Sequence, residues 1–236
     1  MRRLPVYLLL DCSESMVGDG LKAVRQGVNA MLTALRSNPH ALETAYVSII
    51  TFGADAKLVS PLTSIIDIEE PLIKLSSGTA FGKALKLLGE QMQSELKSNT
   101  PLQKGDFRPL VILITDGYPT DDWEKYKREY DKDNSKLVAN FYAVACGDCI
   151  DYKFLGRLTD IVLKAPDLEP EKMGKLFVWI TATINSASVG AMESEEGNNQ
   201  ALETLPSEVT RIDLNKNQSI SQVRRQLLLP GKCSQH

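Results

Sequence analysis

The apolar residues of this chain alternate between two spacings, one typical of strands and the other of helices. Short apolar stretches predict six strands, and the first of them is almost continuously apolar, as in a strand buried on both faces of a parallel sheet. The predicted strands are Pro5–Leu10, Ala45–Phe52, Ala56–Val59, Pro109–Thr115, Val138–Cys146 and Ile161–Lys164. The third is close enough to the second to pair with it as a hairpin across residues 53–55.

Between these strands, apolar residues recur at intervals of three or four, which predicts amphipathic helices. The predicted helices are Gly20–Arg36, Phe81–Leu96, Asp121–Tyr130, Tyr152–Leu158 and a closing helix around Met173–Ile184. Asn38-Pro39 is expected to end the first helix, and Asn99-Thr100-Pro101 the second.

This alternation of strands and helices predicts an α/β fold. We expect a three-layer α/β/α sandwich around a doubly wound, mostly parallel sheet, with Ala56–Val59 as one short antiparallel edge strand. Right-handed crossovers would put the carboxyl ends of the parallel strands at one edge, where open α/β sheets bind their ligands. We expect the domain to cover residues 1–188. An acidic linker and tail over residues 189–236 would either drape over the domain or fold on a partner.

The overall composition limits the possible classes of function. The chain has 236 residues, of which 43% are hydrophobic, so it can bury the core of one α/β domain. Its net charge of −3 and its pI of about 5.5 argue against sequence-independent binding to nucleic acid. Met1-Arg2-Arg3 precedes only a short apolar run, and no stretch approaches the roughly 20 apolar residues of a membrane span. We therefore expect a cytoplasmic protein with reduced cysteines.

Carboxylates and hydroxyls cluster where the predicted strands end. Asp11, Ser13 and Ser15 form a D-x-S-x-S run after the first strand. Thr79 follows a glycine in the middle of the chain, and Asp116 comes directly after the strand that ends at residue 115. Mg²⁺ prefers an octahedron of oxygen ligands, and these five side chains would fill about five of its positions. We therefore predict a metal site at these five residues, with the sixth position open to an acidic side chain of a partner.

The two aspartates determine how strongly the cation at this predicted site attracts a further ligand. If both bound directly, the cation would be nearly neutral and a weak acceptor, so we expect at least one of them to act through water.

Taken alone, the D-x-S-x-S run could instead be an Asx or Ser turn that caps the following helix. The Gly-Thr pair and the later T-D-G run, in this order along the chain, favour the metal site.

Three segments, at residues 6–16, 76–79 and 114–121, resemble the von Willebrand factor A (VWA) domain and its metal-ion-dependent adhesion site (MIDAS). The resemblance covers about Pro5–Ala187. It implies that the three hydroxyls of the predicted site bind Mg²⁺ directly, with Mn²⁺ or Ca²⁺ as alternatives, and that the two aspartates bind directly or through water. Glu14 stands where the family usually has glycine, and its carboxylate at the rim could repel an acidic partner.

Within this superfamily, the segments at residues 8–16 and 115–122 are most similar to the bacterial TerY-type proteins of tellurium-resistance gene clusters. Those proteins are associated with a PP2C-like phosphatase and a protein kinase. The resemblance therefore implies a scaffold in a phosphorylation-linked stress response, held to its partners through the metal site.

Residues suited to catalysis are scarce, so we predict a binding module and not an enzyme. His40, expected in a loop, and His236 at the chain end are the two histidines, and we expect no histidine beside the serines of the predicted site to activate them as nucleophiles. The chain has no P-loop motif. A metal-dependent phosphohydrolase is the alternative, but Asp11 is followed two residues on by Ser13 and so lacks its general acid. A third interpretation is a metal-free scaffold that binds through its tail.

Other polar residues have a structural and a functional interpretation. Cys146 and Cys149 form a C-x-x-C that could be redox-active or bind zinc, but there is no second paired motif, so ordinary thiols are favoured. Cys12 is expected to fill the core. Asp121 and Asp122 could extend the metal site, although helix capping is favoured. Core packing is also favoured over a partner surface for the aromatic stripe of the helix predicted at residues 121–130.

Overall fold

The computed structural model describes residues 2–147, 150, 152–165, 169–188 and 201–213. Within these ranges there are seven strands: β1 (Leu4–Asp11), β2 (Ala45–Phe52), β3 (Ala56–Ser64), β4 (Leu110–Thr115), β5 (Asn140–Cys146), β6 (Ile161–Ala165) and β7 (Thr210–Arg211). They form one sheet in the order β3-β2-β1-β4-β5-β6-β7. The five inner strands, β2, β1, β4, β5 and β6, are parallel. The two edge strands, β3 and β7, pair antiparallel with their neighbours.

Helices cover both faces of this sheet. The helices of the described ranges include α1 (Asp19–Arg36), α2 (Pro39–Thr44), α3 (Phe81–Glu95), α4 (Trp123–Asp133), α5 (Tyr152–Gly156) and α6 (Pro170–Ser188). One core lies between the sheet and α1 and α6, and a second lies between the sheet and α3, α4 and α5. The predicted α/β/α sandwich with a mostly parallel sheet is confirmed, and β7 adds a second antiparallel edge strand.

The central strand β1 shows why the sequence is apolar without alternation there. All its residues are buried. Leu8 and Leu10 belong to the core beneath α1 and α6, whereas Tyr7 and Leu9 belong to the core beneath α3 and α4. A strand that is covered on both faces needs an apolar side chain at every position, because successive side chains point to opposite faces.

Two local elements differ from the sequence prediction. The strand predicted at Ala56–Val59 continues to Ser64, because its backbone keeps pairing with β2 through residues that are only partly buried. α1 ends at Arg36, just before Asn38-Pro39. Asn38 begins the short helix α2, since its side chain accepts a hydrogen bond from the backbone N–H of Ala41 and Pro39 occupies the first turn. His40 therefore lies exposed in a short helix and not in a loop.

Part of the predicted tail lies against the domain. The indole of Trp179 in α6 donates a hydrogen bond of 2.8 Å to the carbonyl of Ala201, and both Ala201 and Val209 are buried. Further on, β7 pairs with β6, and the backbone N–H of Ile212 donates to the carbonyl of Val162 at 2.8 Å. Residues 201–213 thus drape over the domain, while residues 189–200 and 214–236 lie outside the described ranges.

Two of the four cysteines are buried in this fold. Cys12 is buried in the core beneath α1, as expected, and Cys146 is buried at the end of β5. Cys149 and Cys233 lie outside the described residues, so a redox or zinc role of the C-x-x-C stays a prediction. Within the described ranges, the helices are all too short or too polar to cross a bilayer.

Candidate metal centre

The predicted site lies at the carboxyl ends of the two neighbouring central strands. Asp11 is the last residue of β1, and Asp116 directly follows β4. Strand order reverses between these two strands, because the chain leaves β1 for β2 on one side and later returns to add β4 on the other. The two carboxylates therefore flank the crevice in which open α/β sheets bind their ligands.

Two hydroxyls and one carboxylate form a short chain of contacts at the mouth of this crevice. The hydroxyl of Ser15 donates a hydrogen bond of 2.7 Å to Oδ1 of Asp116, and it lies 2.9 Å from the hydroxyl of Ser13. Ser13 is itself 3.5 Å from the same carboxylate oxygen. The two-residue spacing of the serines thus turns both hydroxyls toward one point, as the sequence pattern predicts.

Asp11 lies behind these groups and is fully buried. Its Oδ1 accepts the backbone N–H of Ser13 at 2.9 Å, and its Oδ2 accepts the hydroxyl of Thr115 at 2.6 Å. Burial raises the pKa of Asp11 to about 6, and the hydrogen bonds from Ser13 and Thr115 only partly oppose that shift. Sequence reasoning missed Thr115, although a threonine immediately before the aspartate of T-D-G was the available signal.

Thr79 reaches the site from the loop before α3. Gly78 precedes it with a φ of +69°, a conformation that side chains disfavour. The backbone N–H of Thr79 donates to the hydroxyl of Thr120 at 3.0 Å, and the N–H of Thr120 donates to the carbonyl of Thr79 at 2.9 Å. This reciprocal pair fastens the loop before α3 to the loop after β4, so that Thr79 is held beside Asp116.

The position of Gly117 shows how closely these groups meet. A Cβ on Gly117 would lie 3.2 Å from the hydroxyl oxygen of Thr79 and 3.7 Å from Oδ2 of Asp11. The hydroxyl of Thr79 and the carboxylate of Asp11 therefore face the same small space, which a side chain at residue 117 would fill. Together with the serine contacts to Asp116, this brings all five sequence-predicted residues to one place.

Both neighbouring aspartates serve as helix caps, which the sequence favoured, but Asp121 caps an earlier helix and not the one that follows it. The carboxylate of Asp121 accepts the backbone N–H groups of Gly82 and Lys83 at 2.9 Å each, and so caps α3. Asp122 is the N-cap of α4 and accepts from the N–H of Lys125. Asp121 thus joins the loop after β4 to the helix that follows Thr79, which reinforces the link between those two loops.

The chemistry of this oxygen set fits a hard divalent cation. Burial raises the pKa of Asp116 as well as that of Asp11, and the groups that contact the two carboxylates are neutral hydroxyls and backbone N–H groups. Buried carboxylates without a positive partner are costly, and a bound cation would offset that cost. The described part of the chain holds no group of three or more His, Cys, Asp or Glu side chains suited to a metal. Five oxygen-bearing side chains, of which two are carboxylates, make this set a candidate for Mg²⁺ on the chemistry of its oxygens.

Comparisons with known proteins agree with this fold. A family profile described as the von Willebrand factor type A domain matches residues 6–163. Similar solved structures include proximal thread matrix protein 1 from the mussel byssus, with a TM-score of 0.58 and 16% identity over 78% of this chain and 48% of that chain. A von Willebrand factor type A protein from Catenulispora acidiphila matches with a TM-score of 0.56 and 16% identity over 78% of this chain and 43% of its own.

An archaeal structure is also similar. The ArnB paralogue VWA2 from Sulfolobus acidocaldarius matches with a TM-score of 0.52 and 19% identity over 76% of this chain and 45% of that one. The present chain thus spans less than half the length of each of these three proteins. At these identities the likeness concerns the fold alone. No curated protein matches the chain in sequence.

Proposed function

This chain belongs to the von Willebrand factor type A family, whose domains mediate protein–protein interactions, and from that premise we propose that it binds its partner through a metal ion. In this proposal Mg²⁺, or Mn²⁺ or Ca²⁺ in its place, is held in a MIDAS-type site by five side chains: Asp11, Ser13, Ser15, Thr79 and Asp116. A carboxylate of the partner protein completes the coordination shell.

The observation that carries the proposal is the convergence of oxygen atoms from three remote segments on one crevice. The hydroxyls of Ser13 and Ser15 approach Asp116, and the hydroxyl of Thr79 shares the space beside Gly117 with the carboxylate of Asp11. Three of the five ligand side chains are neutral hydroxyls, and at least one of the two aspartates acts through water in this proposal, so a divalent cation held there would stay electrophilic toward an outside carboxylate. That property suits a binding site whose last ligand comes from another protein.

The position of Asp11 supports a binding role over a hydrolytic one. A phosphohydrolase that uses an aspartate nucleophile needs a carboxylate that the substrate can reach and, two residues on, an acidic general acid. Asp11 is fully buried behind the serine hydroxyls, and the residue two positions on is Ser13. We therefore propose that the protein is not an enzyme.

The resemblance to TerY-type proteins extends the proposal to a biological setting. In that setting the domain is a scaffold in a bacterial tellurium-resistance or related stress response. Its partners would include a PP2C-like phosphatase and a protein kinase, at least one of which would offer an Asp or Glu to the metal.

Calorimetric titration of the full chain with Mg²⁺ tests the metal site. We expect measurable binding by the wild type and a loss of binding in Thr79→Ala, because that change removes one hydroxyl ligand and leaves the charge unchanged. Thr63→Ala, in the edge strand β3, is the matched control and should bind like the wild type. Far-UV circular dichroism should be the same for all three proteins. Equal Mg²⁺ affinity in Thr79→Ala and the wild type would refute the proposed site.

A further inference from the structure

A small cleft opens beside the candidate metal centre, between the β2–β3 hairpin and residues 72–76. Its volume is about 100 Å³, which is space for about three water molecules or one branched apolar side chain. Cys12 and Phe52 line its floor, and Ser76 lies at its end. Because Cys12 stands between Asp11 and Ser13 in the chain, the cleft adjoins the segment that carries two of the proposed ligands.

Two leucines on the wall of this cleft are exposed although their backbone is firmly held. Leu72 is 68% exposed and Leu75 is 45% exposed. Between them, the carbonyl of Ile73 accepts a hydrogen bond from the guanidinium of Arg25 in α1. The N–H of Ser76 donates to the carbonyl of Cys12 at 2.8 Å. The two exposed leucines therefore belong to an ordered wall near the metal centre, where a bound partner would bury them.

The exposed charges near the metal centre differ in sign between the cleft and the segment that leads into α1. Lys57 and Lys74 line the cleft, and in the part of the chain that the structure describes neither has an ion-pair partner within 4 Å. Asp55 also lines the cleft, but it is paired with Lys83 at 3.2 Å. By contrast, the exposed charged residues of segment 14–19 are both acidic, Glu14 and Asp19. Negative charge on a ligand is thus attracted toward the cleft and repelled from segment 14–19.

From these two features, and on the basis of the proposed metal-dependent binding, we infer that the partner is an acidic peptide segment that lies across the metal centre toward the β2–β3 hairpin. One carboxylate of the segment reaches the cation. A neighbouring branched apolar side chain enters the cleft against Leu72 and Leu75, and a second acidic side chain lies near Lys57 and Lys74.

A displayed library of random short peptides tests this inference. The full-length chain would be panned with the library in millimolar Mg²⁺, and bound peptides would be eluted with EDTA. We expect the eluted peptides to be enriched in an acidic residue with a branched apolar residue beside it and a further acidic residue nearby. Enrichment of a lone acidic residue, without the apolar neighbour, would overturn the inference about the cleft.

Charge reversal in the cleft provides the second arm of the test. One synthetic peptide from the selection would be measured by fluorescence anisotropy against the double variant Lys57→Glu with Lys74→Glu. We expect about tenfold weaker peptide binding, with Mg²⁺ affinity within about twofold of the wild type because neither lysine is among the proposed ligands. Lys132→Glu, an exposed lysine in the last turn of α4, is the control and should bind the peptide like the wild type.

The outcomes of these experiments distinguish a failure of the inference about the cleft from a failure of the proposed metal-dependent function. If the double variant binds both Mg²⁺ and the peptide like the wild type, the cleft is not the docking surface, although the metal-dependent function stands. The same conclusion follows if Mg²⁺ binds but no peptide elutes with EDTA. If the wild-type chain binds no Mg²⁺ in calorimetry, the metal-dependent function fails, and the inference about the cleft fails with it.

Discussion

Two ends of the sheet each bury a carboxylate, but they satisfy it differently. At the amino end of β1, Asp106 accepts two hydrogen bonds from the guanidinium of Arg3, at 2.8 and 2.6 Å, and a third from the N–H of Lys97. At the carboxyl end, Asp11 accepts from the N–H and the hydroxyl of Ser13 and from the hydroxyl of Thr115, and Asp116 accepts from serine hydroxyls and nearby backbone. The first end therefore contains its own cation, whereas the second has neutral donors alone.

This difference separates a structural carboxylate from the two that we propose bind a metal. The bidentate contact with Asp106 raises the pKa of Arg3 and keeps the charged pair intact. Burial raises the pKa of Asp11 and of Asp116, so their ionised forms are disfavoured in the metal-free protein. The amino end thus has a cation of its own, and at the carboxyl end the proposed Mg²⁺ would supply the missing positive charge.

The largest expected effect comes from removing the internal cation at the amino end. Arg3→Met keeps much of the side-chain length but leaves the carboxylate of Asp106 nearly buried without a positive partner, which should cost about 3 kcal/mol of unfolding free energy. Urea denaturation measures this loss. Arg128→Met, an exposed arginine of α4, is the control and should change stability by less than about 0.5 kcal/mol. Equal stability of the two variants would contradict the structural role of the pair.

The next largest expected effect is an increase in unfolding free energy, caused by a substitution at the candidate metal centre. Asp11→Asn should abolish Mg²⁺ binding yet stabilise the metal-free protein at pH 7 by about 2 kcal/mol, because it removes a buried charge that the folded protein disfavours. The amide can still accept the N–H of Ser13, and the hydroxyl of Thr115 can rotate to accept the new N–H group. Urea denaturation in EDTA measures the gain.

A matched carboxylate at the surface controls for that change. Asp133→Asn, in the last turn of α4, removes an exposed charge and should leave stability in EDTA almost unchanged. If Asp11→Asn were less stable than the wild type in EDTA, the idea that this end of the sheet is electrostatically incomplete would be wrong.

Titration of Asp11 should make both the unfolding free energy and the Mg²⁺ affinity depend on pH. In the folded protein the pKa of Asp11 is about 6, above the ordinary value of 3.8. In EDTA, the protonated carboxyl therefore makes its whole contribution to the unfolding free energy below about pH 4, and this contribution is lost as pH rises through about 6. The difference in unfolding free energy between the wild type and Asp11→Asn should follow this window. In the presence of Mg²⁺, affinity should fall as pH drops below about 6, because protons compete with the metal for Asp11. A Mg²⁺ affinity that is flat from about pH 5 to about pH 7.5 would contradict this.

The smallest expected effect comes from the contact that holds Thr79 in place. Thr120→Val keeps the shape of the side chain but removes the hydroxyl that accepts the N–H of Thr79, so Mg²⁺ affinity should fall about fivefold, or about 1 kcal/mol. Thr120→Ser keeps the hydroxyl and should bind like the wild type. Calorimetric Mg²⁺ titration separates the two variants, and equal weakening in both would show that the hydroxyl is not what positions Thr79.

Much of the fold and of the candidate site could be predicted because both depend on local patterns. The continuous apolar run of β1 and the helical spacing of α1 predicted those elements to within a few residues. The five site residues follow strand ends or a glycine, which are features that a short stretch of sequence displays. Their meeting at one edge then follows from the handedness of parallel crossovers.

The missed features depend on contacts between distant segments. The hydrogen bond from Thr115 to Asp11 joins two strands whose pairing no single segment specifies. Asp121 caps α3, which precedes it in the chain, and not the helix that follows it. The pairing of residues 210–211 with β6 likewise requires the edge of a sheet that is already folded.

The sequence alone determined the alternation of strands and helices, the order of the polar residues along the chain and the end of each strand at which they stand. It could do so because periodicity and turn chemistry act over a few neighbouring residues. Only the tertiary structure decided which carboxylate has a guanidinium beside it and which has hydroxyls, since Arg3 and Asp106, like Asp11 and Thr115, are more than a hundred residues apart. Burial and partner choice are properties of the folded whole, and they make one end of this sheet a structural anchor and the other a candidate for binding a cation.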